Sequence, residues 1–377
     1  MSHRQVKPPL ILFLYSDTGG GHRSATEAII ESLHLEFDGR IATVMVDFLT
    51  HAPRPFKQLP LFYPHMVRVP QAWEIGYHLS DGSRRARFLT ASASSWVRPN
   101  VHALFAQYPA DLIVATHPLA TAPILRALNR HRPPFVTVVT DLVSTHALWY
   151  HPLSDLCLVA TEMAFQRALA CGLTPEKVHI TGLPVAERFG QPSADRDTLR
   201  ARFGWPQDRP VILLVGGGEG MGPLKETAMI IAEARLPAAL AIVTGRNTAL
   251  RAELQARQWP IPTFIYGFVR EMPDLMHAAD ILVTKAGPST ISEAFIAGLP
   301  IVLYSRLPGQ EDGNIVFVTS HGAGVWAPHP KQVVAALKNW VDHPEERLAA
   351  AAASRELART GAARKIAHIL AARLGVE

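Results

Sequence analysis

Leu10-Ile-Leu-Phe-Leu-Tyr-Ser-Asp-Thr-Gly-Gly-Gly-His-Arg23 and Val211-Ile-Leu-Leu-Val-Gly-Gly-Gly-Glu-Gly-Met-Gly222 decide the fold. Each is a short apolar run, read as a buried strand, then a glycine turn that opens a helix. Such a unit aims backbone N–H groups and the positive end of a helix dipole at a ligand. Two of them, one per half of the chain, imply an α/β protein with two Rossmann-like domains facing across a cleft.

The rest of the chain keeps that rhythm. N-terminal strands are expected at Leu10–Ser16, Ile41–Val46, Asp111–Thr116, Phe135–Thr140, Leu156–Ala160 and Val178–Thr181, with helices at Arg23–Leu35, Val101–Tyr108, Leu119–Asn129 and Glu162–Ala170. Strands return at Val211–Val215, Ala239–Thr244, Thr263–Tyr266, Ile281–Thr284 and Ile301–Tyr304, and the Ala- and Arg-rich tail from Pro344 reads as helical. Alternating strands and helices predict largely parallel sheets covered on both faces. The domains are expected at 1–185 and 210–377, with 186–209, a polar stretch holding Gly190, Pro192 and Pro206, as linker. The last helix is expected to pack back on the N-terminal domain.

Composition narrows the function class. The 377 residues carry a net charge of +5, but the basic residues form no long block, which argues against nucleic acid. Two cysteines, Cys157 and Cys171, make neither a disulfide framework nor a metal site. No signal-cleavage pattern and no run of roughly 18 apolar residues is present, so a cytoplasmic, soluble or peripheral protein is expected. No P-loop lysine motif and no HExxH motif occurs.

One segment breaks the rhythm. Between 51 and 102, Arg54, Lys57, Arg68, Arg84, Arg85, Arg87 and Arg98 stand against only Glu74 and Asp81. Phe56, Phe62, Tyr63, Trp73, Tyr77, Phe88 and Trp96 lie among them, without a clean amphipathic helix. Rings and guanidinium groups together suit a headgroup interface, and equally suit an ordinary insertion with solvated arginines.

Specific chemistry collects at three places. His22 follows the first glycine turn at a helix N-terminus, where the dipole disfavours imidazolium and leaves a neutral base. Asp17 or Asp141 is its expected orienting partner. Gly287 permits a tight turn before Ser289, Thr290 and Glu293, where N–H groups suit a diphosphate. Gln310 and Glu311 follow the next strand, at the edge where open α/β sheets bind ligands. Competing local readings are capping boxes at Ser24-x-x-Glu27 and Thr290-x-x-Glu293, which need no ligand.

The runs Ser16–Arg23, Gly216–Pro223, Thr284-Lys-Ala-Gly-Pro-Ser-Thr290 and Pro308-Gly-Gln-Glu311 resemble the monogalactosyldiacylglycerol synthases. These are GT-B glycosyltransferases, related to the lipid I N-acetylglucosaminyltransferase. Thr140-Asp141 through Thr145-His146 to Trp149 and His151, and Thr181–Val185, are similar too. The resemblance implies that the C-terminal domain holds a UDP-sugar. Gly217 and Gly218 would approach the diphosphate, Phe268 and Val269 would frame the uracil, and Glu293 would bind ribose. Gly287, Ser289 and Thr290 would serve the phosphates, and Gln310 and Glu311 the sugar. Asp17, Gly20, Gly21, Asp141, His146 and Trp149 would line the acceptor side. UDP-galactose or UDP-glucose would be the donor, with no metal or other cofactor. Diacylglycerol would be the acceptor, and anionic lipids partners on the inner face of the cell membrane. His22 would act as base in one inverting displacement, with glycine-loop N–H groups and Lys285 meeting the charge on departing UDP. Two departures touch the substrate: Ser289 stands where glycine is expected, and Ala147-Leu148 interrupts the acceptor motif. The alternatives are a glucosyl or processive transferase, a nucleotide-sugar epimerase, a nicotinamide or flavin oxidoreductase, and a non-catalytic sensor.

Overall fold

The computed structural model describes residues 7–17, 20–54, 56–58, 70–129, 132–220 and 222–377. The chain divides into two compact units: 1–186 with 361–377, and 187–360.

In the first unit, the strands are β1 (Leu10–Tyr15), β2 (Ala42–Asp47), β3 (Leu112–Ala115), β4 (Phe135–Val138), β5 (Leu156–Val159) and β6 (Val178–Ile180). They form one parallel sheet in the order β2-β1-β3-β4-β5-β6. Helices α1 (Gly21–Phe37), α2 (Pro70–Ser80), α3 (Ser83–Gln107), α4 (Pro118–Leu128) and α5 (Glu162–Ala170) belong to it. The second unit holds α6 (Arg196–Phe203), β7 (Val211–Val215), α7 (Leu224–Glu233), β8 (Ala239–Val243), α8 (Thr248–Gln255), β9 (Thr263–Tyr266) and α9 (Met272–Ala278). There follow β10 (Ile281–Lys285), α10 (Pro288–Ala297), β11 (Ile301–Ser305), α11 (Asp312–Ser320), β12 (Gly324–Trp326), α12 (Pro330–Asp342) and α13 (Pro344–Leu357). Its sheet order is β12-β11-β10-β7-β8-β9, again parallel.

The central strands read as continuous apolar runs because both faces are covered. Ile11 and Phe13 are fully buried on one side of β1 with Ile29 and Leu33 of α1. Leu12 and Leu14 are buried on the other with Val97, Val101 and Leu104 of α3. Helix α14 (Ala362–Arg373) follows Gly361 and joins the first unit. Its Ile366 and Leu370 are fully buried beside β1 and α1, each stabilising by about 1.5–3 kcal/mol relative to exposure.

Two stretches differ from the sequence reading. The basic aromatic segment holds α2 and most of α3, and α3 runs through Pro99 rather than beginning at Val101. One interior proline removes one helix hydrogen bond, and the burial of Val97, Val101 and Leu104 offsets that loss. Phe62, Tyr63 and Arg68 lie outside the described residues, as do the side chains of Phe56, Arg84, Arg87 and Phe88. The stretch read as a linker folds with the second unit and carries α6, capped where Asp195 accepts from the Thr198 N–H at 2.9 Å. That helix lacks an apolar stripe because it buries one apolar side chain, Leu199, beside Arg200, which pairs with Asp280.

Each sheet reverses its strand order at its own first strand. β2 and β3 flank β1, while β8 and β10 flank β7. Such switch points open a crevice at the carboxyl ends of the strands, where ligands of open α/β sheets bind. Gly20, Gly21 and Gly216–Gly220 follow β1 and β7 there.

Candidate active site

In the first unit, the chain leaves β1 and enters α1 through Gly20, whose φ of 81° is left-handed and favours glycine. Gly21 is the first helical residue and His22 the second. Gly20 caps the helix, and the Ser24 hydroxyl donates to the Gly21 carbonyl, so the Ser24-x-x-Glu27 capping box does not form.

His22 is held by neighbours from the switch point. Its Nδ1 lies 2.7 Å from the Thr140 hydroxyl, just beyond β4. The His117 ring, just beyond β3, meets it edge-on with centroids 4.6 Å apart, and the Trp149 ring lies 5.9 Å away. Burial pushes the His22 imidazole down to about 4, while the Thr116 carbonyl opposes that shift. Enclosure thus favours the neutral ring, in the same direction as the helix dipole. His117 is also held well below the usual histidine range, by burial and then by His22.

Neither proposed orienting carboxylate takes that role. Asp17 pairs with Arg23, whose Nε and Nη2 lie 3.1 and 2.8 Å from its two oxygens. Asp141 is buried and accepts the indole N–H of fully buried Trp149 at 2.6 Å. The residue at His22 Nδ1 is Thr140, a neutral group. His146 is buried with other partners: its Nδ1 accepts from the Leu148 N–H and its Nε2 meets the Ser80 hydroxyl. Thr140 and His117 were the residues sequence reasoning missed. Their signal was position, since each lies two residues beyond a strand, β3 or β4, on the same side of the switch point.

In the second unit, Gly216–Gly220 follows β7 and is pinned by the Arg246 N–H, which donates to the Gly218 carbonyl at 2.9 Å. The Arg246 guanidinium lies 4.8 Å over the ring of Phe268 and pairs with Glu219 at 2.7 Å. Phe268 is 57% exposed, an aromatic face presented beyond β9, with Val269 partly buried beside it.

Helix α10 is capped by Gly287 with Pro288 as its first residue, which puts Thr290 and Glu293 inside the helix. The Thr290-x-x-Glu293 box is therefore absent, and the first-turn N–H groups of Ser289 and Thr290 lack intrahelical acceptors. Burial raises the Glu293 carboxyl to about 7, while Arg188 pulls it down.

Lys285, the last residue of β10, reaches between Gly217 and Gly287. A methyl group on Gly287 would lie 2.9 Å from its Nζ, and one on Gly217 would lie 3.4 Å from its Cε. Its ammonium meets Glu311 Oε1 at 2.5 Å, and Oε2 of that carboxylate accepts the Leu307 N–H at 2.7 Å. Glu311 is buried, with both oxygens so engaged. It thereby ties Lys285 to the loop that carries Gln310. Gln310 itself is partly exposed on that loop.

Among the described residues, no three His, Cys, Asp or Glu side chains gather as metal ligands would, and no helix is long and apolar enough to cross a membrane.

A family model described as monogalactosyldiacylglycerol (MGDG) synthase matches residues 22–185, and one described as the glycosyltransferase family 28 C-terminal domain matches 211–368. A probable chloroplastic monogalactosyldiacylglycerol synthase of Nicotiana tabacum is 35% identical over 374 residues, covering 96% of this chain and 70% of that one. Among solved structures, a UDP co-structure of S. aureus MnaA aligns with a TM-score of 0.64 at 14% identity, over 98% of each chain. MurG of Acinetobacter baumannii aligns at 0.60 and 16% identity, over 96% of this chain and 99% of that one. These likenesses show the fold, two Rossmann-like units of the GT-B class.

Proposed function

The chain belongs to the monogalactosyldiacylglycerol synthase family and is a glycosyltransferase, and from that premise we propose that it moves galactose from UDP-galactose to the free hydroxyl of diacylglycerol, with inversion at the sugar. The observation that carries the reading is His22: a neutral imidazole at a helix N-terminus, held at Nδ1 by Thr140. With Nδ1–H donating to the Thr140 oxygen, Nε2 carries the lone pair that takes the acceptor's proton. As the hydroxyl oxygen bonds to the anomeric carbon, the bond to the β-phosphate oxygen breaks and UDP leaves. Charge on the diphosphate is met by the Ser289 and Thr290 N–H groups, the α10 dipole and Lys285. Phe268 offers its face to uracil, and Glu293 accepts from ribose hydroxyls. No metal is needed for this step, so turnover is expected to survive EDTA.

The acceptor places the protein at a membrane surface. Ile75, Leu79 and Trp96 are 60%, 66% and 64% exposed on α2 and α3, and Arg85 and Arg98 are exposed nearby in sequence. Apolar side chains flanked by arginines suit an anionic bilayer, here the cytoplasmic face of the cell membrane.

The test offers labelled UDP-galactose and UDP-glucose separately to protein with diacylglycerol and phosphatidylglycerol vesicles. Galactolipid with little glucolipid is expected, and glucolipid alone would overturn the donor assignment. The pH dependence is a second check. Ribose hydroxyls bind the ionised Glu293, which the free protein loses as pH falls through about 7. UDP affinity is therefore expected to be level above pH 8 and to fall about tenfold per unit well below 7. His22 protonates only near 4, so it should not limit turnover across neutral pH. Calorimetric titration of UDP from pH 5.5 to 8.5 reads the first effect, and affinity independent of pH would contradict it.

A further inference from the structure

Asp81 is one of only two acids in the basic stretch 51–102, and none of the steps above uses it. It sits at the two-residue corner between α2 and α3, next to Gly82. Its Oδ1 accepts the Gly82 N–H at 3.0 Å and the Ala147 N–H at 2.9 Å. Arg167 Nη2, from α5, lies 2.7 Å from both of its oxygens. The two side chains are 25% and 34% exposed, so water screens part of the ion pair. Three elements thus meet on one carboxylate.

What they hold is the loop that carries Trp149. Ala147 begins the single 3-10 turn Ala147–Trp149, whose last residue faces His22 and bonds Asp141. The same corner touches this loop elsewhere. The Ser80 hydroxyl meets His146 Nε2 at 3.1 Å, the Tyr77 ring stands edge-on to His146 at 4.9 Å, and Arg167 Nε donates to the Thr145 carbonyl at 3.4 Å. Helix α2, which ends at this corner, exposes Ile75 and Leu79.

We propose that Asp81 is a positioning residue: it latches the α2–α3 corner to the Ala147 N–H and so fixes Trp149 beside His22 on the acceptor side of the reaction. The inference rests on the transferase reading for its kinetic consequence, though not for the latch itself. A latch depends on an acceptor at Oδ1; an ion pair depends on charge. The two demands separate in a substitution series. Asp81→Asn keeps a carbonyl oxygen for Ala147 and Gly82 while losing the charge, whereas Asp81→Ala loses both.

Amide exchange across residues 144–150 tests the latch directly: faster exchange is expected in Asp81→Ala, with Asp81→Asn close to wild type. On diacylglycerol vesicles, Asp81→Ala should lose about tenfold or more in turnover and Asp81→Asn no more than about threefold, with UDP affinity unchanged in both. The charge-swapped pair Asp81→Arg with Arg167→Asp covers the case in which Asp81→Ala fails to fold, since it restores the ion pair without an acceptor for Ala147. It is expected to fold and to turn over poorly. An active swap, an Asn variant as impaired as Ala, or unchanged exchange in Asp81→Ala would overturn the proposal. These exchange differences among the variants, with no lipid product from the wild-type protein, would leave the latch standing and remove the transferase reading.

Discussion

Replacing His22 by alanine is expected to lower kcat for galactolipid formation by about 10²–10⁴-fold, the range supplied by a positioned general base, while leaving UDP affinity unchanged. The separation follows from the architecture, because His22 belongs to the first unit and the residues assigned to UDP to the second. His117 is not expected to substitute. Its Nδ1 is already an acceptor for the Leu119 N–H, and its ring meets His22 edge-on rather than extending it. Thr140→Val, which removes the oxygen at Nδ1, should share part of the loss. Single-turnover kinetics beside UDP titration read both effects. A His22→Ala protein retaining more than a tenth of wild-type turnover would mean that another group takes the proton.

Removing both charges of the Lys285–Glu311 pair gives the second large effect. Taking away Lys285 alone strands a buried carboxylate, and breaking a buried pair from one side costs about 3–5 kcal/mol, which confuses stability with catalysis. The double variant Lys285→Met with Glu311→Gln leaves no buried charge, and the glutamine amide oxygen can still accept the Leu307 N–H. It is expected to fold near the wild-type Tm and to lose about 10²-fold in kcat, comparable to the loss of one preorganised electrostatic contact to a developing anion. UDP binding should weaken while uridine binding holds. Equal weakening of uridine and UDP would place the lysine away from the diphosphate.

The fold was readable because its signals are local. Apolar runs ending in Gly19–Gly21 and Gly216–Gly218 mark parallel strands at their ligand edge, and the boundaries of β7, β9 and α5 follow the sequence reading residue for residue. Candidate site residues were readable where place on the chain decides their position, as for His22, second in α1, and Ser289 and Thr290, in the first turn of α10. It was illegible where partners come from distant strands. Thr140 lies 118 residues from His22, and Glu311 lies 26 from the lysine it holds, so no spacing rule links either pair. The part of α3 before Val101 and the whole of α6 were hidden for different reasons, Pro99 inside the first and a buried arginine in place of an apolar stripe in the second.

The most direct test of the central claim is the anomeric configuration of the lipid product made by purified protein from UDP-galactose and diacylglycerol vesicles, read by proton NMR. An inverting displacement with His22 as base predicts a β-galactosyl diacylglycerol, absent when His22→Ala replaces the wild type. An α-linked product, or no galactolipid from protein that binds UDP, would contradict the account.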